Sequence, residues 1–452
     1  MRRPGRRSFR FLVTALATMP QETAKDHLNV LRKSLEQSTQ WTSGVLDVRG
    51  EDLTLFYNYG EGEREARSLN FENATNQHLE ELATACQPAT FGRGKEDVLD
   101  ENYRKAGKLD CTNFAASLDV GTLQIVDAIS PDLLDGRGDA DNKIIRAELY
   151  KLNVYGPGSF FKSHKDTPRG EEMIGSLVIV LPTKHDGGAL SLSHGKQACT
   201  FDSAADLAEK KTSIAYVAFF SDVMHAVEKV TSGYRVTLTY NLFLVDRPSS
   251  RLVPARQPST AEAACEAALR ALVADPTFLR RGGILGFGLM HQYPIPRGPK
   301  DPQTLNHVLS ILKGADARIY GVASRVGLEA TLHLVYDTDD GEGYGRYVGA
   351  AEVVDLEPIG YDEYWGAAKE AIEKAGETLW VCDATEDLDD EDAWDDPEQL
   401  LERTSLHWVT KLTKINRAAS AYIAYGNEAS LDHYYGDAAL FVRFPEAAGR
   451  EP

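Results

Sequence analysis

The residues best placed to do chemistry are His164 and Asp166, two apart in the run YGPGSFFKSHKDTP. On an extended chain alternate side chains share a face, so both can address one metal ion from the same side. A third donor is available in His225, which lies 61 residues later in FFSDVMHAVEKV, at the end of a strongly apolar strand. Two imidazoles and one carboxylate on one face of an ion leave three positions open, the facial pattern of non-haem Fe(II). A structural zinc site would instead close its shell. The His-x-Asp pair is weak evidence by itself, because so short a pattern arises by chance and a loop histidine is usually only solvated.

Support comes from Arg235, ten residues after His225 and just beyond the turn Thr231-Ser232-Gly233. Along YRVTLTYNLFL the alternation puts Arg235, Thr237, Thr239 and Asn241 on one face and Val236, Leu238, Tyr240 and Leu242 on the other. A polar strand face leaving a metal site implies a wet cavity that holds an anion. A guanidinium grips a carboxylate with two parallel hydrogen bonds, and Thr237 on the same face adds a hydroxyl donor.

The set Tyr155-Gly-Pro-Gly, Phe161, His164-Lys-Asp166, Gly187-Gly188-Ala-Leu190, His225 and Arg235-x-Thr237 resembles the 2-oxoglutarate and Fe(II)-dependent dioxygenases, in particular their prolyl 4-hydroxylase-like branch. The resemblance spans about 100 residues, Tyr150 to Leu244. It implies a double-stranded β-helix (jelly roll) whose mouth holds Fe(II) through His164, Asp166 and His225. It further implies 2-oxoglutarate chelating the metal, with Arg235 on the distal carboxylate, Tyr155 hydrogen-bonded to the cosubstrate and Thr237 assisting. Phe161 and Leu190 would line the pocket. O2 is then the second cosubstrate, ascorbate a candidate reductant, and the reaction a hydroxylation of a protein side chain such as proline with release of succinate and CO2. Alternatives are a small-molecule oxygenase of the same chemistry, a non-catalytic jelly-roll interaction module, or a zinc hydrolase. The last leaves Arg235 and its polar strand face without a purpose.

Other candidates carry less. His185 and His194 flank the Gly-Gly-Ala-Leu turn and read as solvated loop histidines rather than substrate contacts. Asp337-Thr-Asp339-Asp340-Gly341 approximates a calcium loop, but its glycine falls at position 5 and the twelfth residue is Val348 instead of Glu. Gly341, Gly343 and Gly345 read as a flexible turn rather than a phosphate loop, and Ser191, Ser193 and His194 lack a nucleophile elbow.

The elements that must position these residues follow from periodicity. IIRAELYKLNVY, MIGSLVIVLP, GALSLSH, IAYVAFF and YRVTLTYNLFLV read as serial strands of a sandwich or barrel across Ile144 to Val245. Gln21 to Gln37 and Asn70 to Cys86 read as helices, Trp41 to Tyr59 as strand, and Arg93 to Gly107 as a charged loop without catalytic residues. The three prolines between Asp246 and Ser259 mark a linker, and Thr260 opens an Ala-rich helix. The expected organisation is therefore a leader or disordered extension at 1–20, a jelly-roll oxygenase domain with N-terminal helices at 21–245, a linker at 246–260, and an α+β region at 261–452 that could be a degenerate second jelly roll. The fold class is mostly β with flanking helices. Beyond Ser259, His291, His307, His333, His407 and His433 stand singly in sequence, so that region is expected to pack against the core and shape substrate entry.

Charge sets the outer limits. The chain of 452 residues has 49 Lys plus Arg against 68 Asp plus Glu, a net charge of −19, and the body is more acidic still because Arg2, Arg3, Arg6, Arg7 and Arg10 lie in the leader. Such a body disfavours general binding to nucleic acid or anionic membranes. Asp383 to Glu398 holds ten acids in sixteen residues, the pattern of a solvated loop. No apolar run approaches a membrane span. Five scattered cysteines (Cys86, Cys111, Cys199, Cys265, Cys382) suggest a reducing compartment, cytoplasmic or nuclear, or mitochondrial if the Arg-rich leader is a presequence. The expected partner is a protein or small-molecule substrate.

Overall fold

The computed structural model describes residues 22–450 apart from 61–64, 94–95, 140–141, 249–256, 302–303, 339–345, 360, 363–365, 383–403 and 426–428. The leader, most of the linker, the glycine-rich turn and the acidic run at 383–398 therefore lie outside the described residues.

The jelly-roll core uses twelve strands: β1 (Trp41–Asp47), β2 (Gln87–Pro88), β3 (Arg104–Lys105), β4 (Gly107–Asp110), β5 (Lys143–Tyr155), β6 (Phe160–His164), β7 (Met173–Val180), β8 (Leu190–His194), β9 (Gln197–Phe201), β10 (Ser213–Phe220), β11 (Met224–Val227) and β12 (Arg235–Asp246). A seven-stranded sheet runs β1-β10-β7-β12-β5-β4-β2, and a five-stranded sheet β9-β8-β11-β6-β3 faces it. Period-two patterning explains the packing. Val236, Leu238, Tyr240, Leu242 and Leu244 of β12 are buried in the apolar core, while Arg235, Thr237, Thr239 and Asn241 line a cavity on the other side. The central strand β7 has no solvent face, so its apolar residues run nearly unbroken, with Ile174, Leu177, Ile179 and Val180 all buried.

The α-helices labelled here are α1 (Ala24–Glu36), α2 (Asn76–Ala85), α3 (Ile125–Leu133), α4 (Thr260–Ala274) and α5 (Gly314–Arg325). Thr23 and Asp26 form a capping box at the start of α1, each satisfying the other's backbone N–H. The apolar stripe of α1, Leu28, Leu31 and Leu35, does not join the jelly-roll core. It shares a second core with Cys265, Ala268, Leu269 and Leu272 of α4 and with Ala315, Ile319 and Val322 of α5. The boundary expected from sequence put this helix with 21–245, yet its partners come from beyond the linker. Small alanines on α4 let the leucines of α1 approach closely, a match that linear order does not reveal.

The C-terminal region is α+β, as expected, with a mixed sheet. Strands β13 (Gly283–Gly288), β14 (Glu329–Asp337), β15 (Arg346–Ala350), β16 (Glu377–Val381), β17 (Thr404–Thr410), β18 (Arg417–Tyr425) and β19 (Ala429–Phe444) carry it. The order β13-β17-β16-β15-β14-β19 closes on itself because β19 also pairs with β13. Ile284, Val335, Leu379, Leu406, Ala439 and Phe441 fill the ring. The β13–β17 and β16–β17 pairs are parallel, which distinguishes this ring from a second, wholly antiparallel jelly roll. The two cores are fastened by buried polar contacts. Arg318 of α5 reaches both the Ser34 carbonyl of α1 and the Asp135 carboxylate, and Arg137 donates to the carbonyl of Leu312 at 2.5 Å.

Candidate metal centre

Strands β6 and β11 pair antiparallel with His164 directly opposite His225, so the sheet brings together two histidines far apart in sequence. Asp166 lies just past the end of β6, anchored by its own N–H donating to the Ser221 carbonyl at 3.2 Å. The Ser176 hydroxyl donates to Asp166 Oδ2 at 2.6 Å, while Oδ1 lies 3.7 Å from His225 Nε2. Each imidazole is oriented through its Nδ1–H, His164 to the Lys162 carbonyl at 2.8 Å and His225 to the Val223 carbonyl at 3.0 Å. Fixing one ring nitrogen on a backbone carbonyl presents the other to a metal. One donor atom from each of the three residues falls within a 4.8 Å group that could hold an ion. Burial, and then the neighbouring His225, push His164 down to about 3. That favours the neutral imidazole, the form that ligates. Phe161 stacks on the His164 ring at 3.6 Å between centroids.

Arg235 opens β12 opposite Tyr155 and is only 1 % exposed. Its guanidinium lies 5.7 Å from the Tyr155 ring, and its Nε and Nη2 have no hydrogen-bond partner in the protein. Burial pulls it down to about 10, so it stays cationic near neutrality. A buried guanidinium with two unmet donors calls for an anion, since leaving such a group unpaired is costly. Thr237, opposite Asn153 and Val180, is likewise buried on the cavity wall. The cavity, about 150 Å³, is lined by all eight residues singled out from sequence: Tyr155, Phe161, His164, Asp166, Leu190, His225, Arg235 and Thr237. Gly188 keeps its wall close: at φ +75°, a Cβ there would sit 3.0 Å from Arg235 Cδ and 2.8 Å from Val230 Cγ2. The metal triad and the unmet guanidinium thus suit Fe(II) and a dicarboxylate bound together.

Several cavity residues escaped the sequence reading. Tyr103 and Arg104, in the segment taken for a charged loop, form one edge of the smaller sheet and its adjoining turn. Arg104 is buried, donating to the Thr90 carbonyl at 2.7 Å and to Asn153 Oδ1 at 2.8 Å, with its guanidinium 4.4 Å from the Phe161 ring centre. Lys151 and Tyr150 also line the cavity, together with Arg169. A register shift between Leu149 and Lys151 places a bulge at Tyr150, and this bulge re-aims adjacent side chains to one side. Strict alternation would have sent them to opposite faces. Burial first, and Arg104 next, bring the Lys151 ammonium down to about 7.

The remaining histidines need correction. His185 is not a solvated loop residue: it is buried, its Nδ1–H donates to the Thr183 carbonyl at 2.9 Å, and it stays outside the cavity lining. His194 and His291 do not stand singly. Both meet Asp222 at 3.1 Å, and Asp222 also accepts from Lys313 Nζ at 2.9 Å and from the Gln292 N–H at 3.0 Å. The His194, Asp222 and His291 group has the donor types for a metal, but the Lys313 ammonium already neutralises its only carboxylate. It is a polar clamp between the two cores, three residues from His225. Ser191 is engaged by Glu228 at 3.0 Å, with no nucleophilic arrangement around it.

Residues 150–243 match the model of the 2OG-Fe(II) oxygenase superfamily. Among solved structures, a Pseudomonas putida prolyl 4-hydroxylase is similar at 16% identity, with 48% of this chain and 98% of that chain covered and a TM-score of 0.29. A 2OG-Fe(II) oxygenase family oxidoreductase from Burkholderia pseudomallei follows at 15% identity, covering 49% and 92%, with a TM-score of 0.23. A Trichoplax adhaerens prolyl hydroxylase, solved with a hypoxia inducible factor oxygen degradation domain peptide, has 14% identity, coverage of 49% and 90%, and a TM-score of 0.29. No curated protein matches the sequence. The matched segment contains the His-Asp-His group, the unmet guanidinium and the strands that hold them, and it is this part of the chain, residues 150–243, that is similar to the 2OG-Fe(II) oxygenase superfamily.

Proposed function

We propose that the protein hydroxylates a peptidyl side chain, proline being the first candidate, with His164, Asp166 and His225 holding Fe(II) and Arg235 holding the distal carboxylate of 2-oxoglutarate. The observation that carries this reading is one cavity bounded by both the open-faced His-Asp-His group and a buried guanidinium with two unmet donors. When bound, the metal and cosubstrate supply oxidative decarboxylation to succinate and CO2, coupled to oxygen insertion into a C–H bond. The chain's own residues bind and orient. Tyr155 and Thr237 flank the guanidinium, Ser176 fixes one carboxylate oxygen of Asp166, and Phe161 holds the His164 ring plane. Leu190 and Phe161 give the cavity its apolar portion and help exclude water.

The preference for proline rests on the resemblance of Tyr155-Gly-Pro-Gly through Arg235-x-Thr237 to the prolyl 4-hydroxylase-like branch. The test is anaerobic reconstitution with Fe(II) and 2-oxoglutarate, then admission of isotopically labelled O2 with proline-containing peptides. One labelled oxygen in the peptide per succinate formed is the expected result. Labelled succinate without any labelled peptide would leave the oxygenase chemistry standing and remove the peptidyl substrate.

A further inference from the structure

Once the metal centre and its cosubstrate are assigned as above, on which this inference rests, their charges cancel. Fe(II) brings two positive charges and Arg235 one, while Asp166 brings one negative charge and 2-oxoglutarate two. The cavity wall still carries Arg104, Lys108, Lys151, Lys165 and Arg169, and its one carboxylate is Asp166; Lys165 is turned to the Gln292 side-chain oxygen at 3.1 Å. Lys108 is answered by Asp110 at 3.5 Å. The two nitrogens of Arg104 that bond are committed to Thr90 and Asn153, so this residue contributes field rather than a free donor pair.

Lys151 and Arg169 are different. Neither has a carboxylate partner among the described residues, and both lie against Tyr150: the Lys151 ammonium is 4.5 Å from its ring centre, and Arg169 is 4.9 Å from that centre while donating to its hydroxyl. The bulge beside Lys151 turns that ammonium into the cavity, and Arg169 lines the same cavity from the loop after Asp166. Arg104, Arg169 and Lys108 repel the Lys151 charge and Asp166 alone attracts it. In a chain of net charge −19, such a local surplus runs against the surrounding field and would be relieved by an incoming anion.

We infer that the substrate presents a carboxylate to Lys151 and Arg169 beside the carbon that it exposes to the metal centre. A guanidinium and an ammonium lining one cavity suit a carboxylate, the first by a planar fork and the second by a point charge. The carboxylate could belong to a glutamate or aspartate flanking the modified residue of a peptide, or to a free organic acid.

The experiment loads the full chain anaerobically with Fe(II) and saturating 2-oxoglutarate, so that Arg235 is occupied, and follows binding by calorimetry. The probes are capped pentapeptides with proline flanked by glutamate, alanine or lysine, together with glutarate as a free acid. An acidic probe is expected to bind at least about tenfold more tightly than the alanine peptide, with the advantage shrinking as salt rises. Tighter binding of the glutamate peptide than of glutarate assigns the carboxylate to a peptide, and the reverse assigns it to a small acid. Lys151→Met and the more exposed Arg169→Gln should each reduce the preference, and Lys151→Glu should turn it toward the lysine peptide. Equal affinities for all probes, no binding by either acidic probe, or a preference that survives in both Lys151→Glu and Arg169→Gln would overturn the inference. Failure of the wild-type protein to bind 2-oxoglutarate in an Fe(II)-dependent manner would instead remove the assignment of the metal and cosubstrate residues, so the two failures are told apart.

Discussion

At the scale of single residues, the candidate metal ligands and the residue proposed to hold the cosubstrate lie on different strands. The histidines sit on neighbouring strands of the smaller sheet and Arg235 on the larger one, so the two functions should be separable by mutation. Replacing Asp166 by Ala removes the only carboxylate of the triad. The visible charge-transfer band that forms anaerobically with Fe(II) and 2-oxoglutarate is expected to vanish in Asp166→Ala and in His225→Ala, and persistence of the band in both would refute the ligand set. Arg235→Ala is expected to raise the apparent constant for 2-oxoglutarate by at least roughly tenfold, because a buried carboxylate stripped of its partner costs about 3–5 kcal/mol before water recovers part of it. Arg235→Lys should fall between, keeping the charge and losing the fork. Iron affinity in the absence of cosubstrate provides the control, since a large loss there would show that Arg235 acts through the metal site instead.

At the scale of elements, the turn Gly187-Gly188 and the bulge at Tyr150 decide what the strands present. Both glycines have positive φ, +72° and +75°, a region that costs other residues roughly 1–2 kcal/mol. Gly188→Ala adds to that strain a methyl group 3.0 Å from Arg235 Cδ. A several-fold rise in the 2-oxoglutarate constant is expected, together with a lower melting temperature. A variant that loses thermal stability yet keeps its cosubstrate constant would show that this turn does not position Arg235. The alternation in YRVTLTYNLFL announced the cavity face of β12, and the strands from Ile144 to Val245 were legible because each is a short apolar run bounded by turn residues. Short strands such as β3 and β15 were not legible, since two to five residues carry too little periodicity to stand above their flanks.

At the scale of the whole molecule, the region after the linker is fastened to the jelly-roll domain immediately behind the loop that leads to His225. Asp222 lies between Ser221, whose carbonyl holds the Asp166 backbone, and Val223, whose carbonyl holds His225; it binds Lys313 and His291 from the other core. Breaking this buried group by Asp222→Ala strands the Lys313 charge and is expected to cost about 3–5 kcal/mol of stability, measured by urea unfolding. An unchanged midpoint would show that the clamp contributes nothing. Despite the burial that opposes it, the surrounding His291, Lys313 and His194 hold the Asp222 carboxyl far below the usual range. Its contribution is therefore fully present above the unfolded carboxyl value of about 3.9 and is lost only as pH falls toward the folded one. Among the described residues no helix is long and apolar enough to cross a membrane.

By itself the sequence determined which residues could form the candidate site. His164-x-Asp166, His225 and Arg235-x-Thr237 match what an open-faced metal and a dicarboxylate would require, and such requirements act on residue type and strand phase, which a linear reading can see. Tertiary structure alone decided that Arg104, from an apparent loop, lines the cavity, that a bulge turns Lys151 inward, and that α1 leaves its sequence neighbours to pack on α4 and α5. It also decided that His291 meets Asp222 across 69 residues of chain. The physical reason is the same in each case. A buried charge or an apolar stripe must be satisfied by some partner, but any distant segment of suitable shape can provide it, and only folding selects which one does.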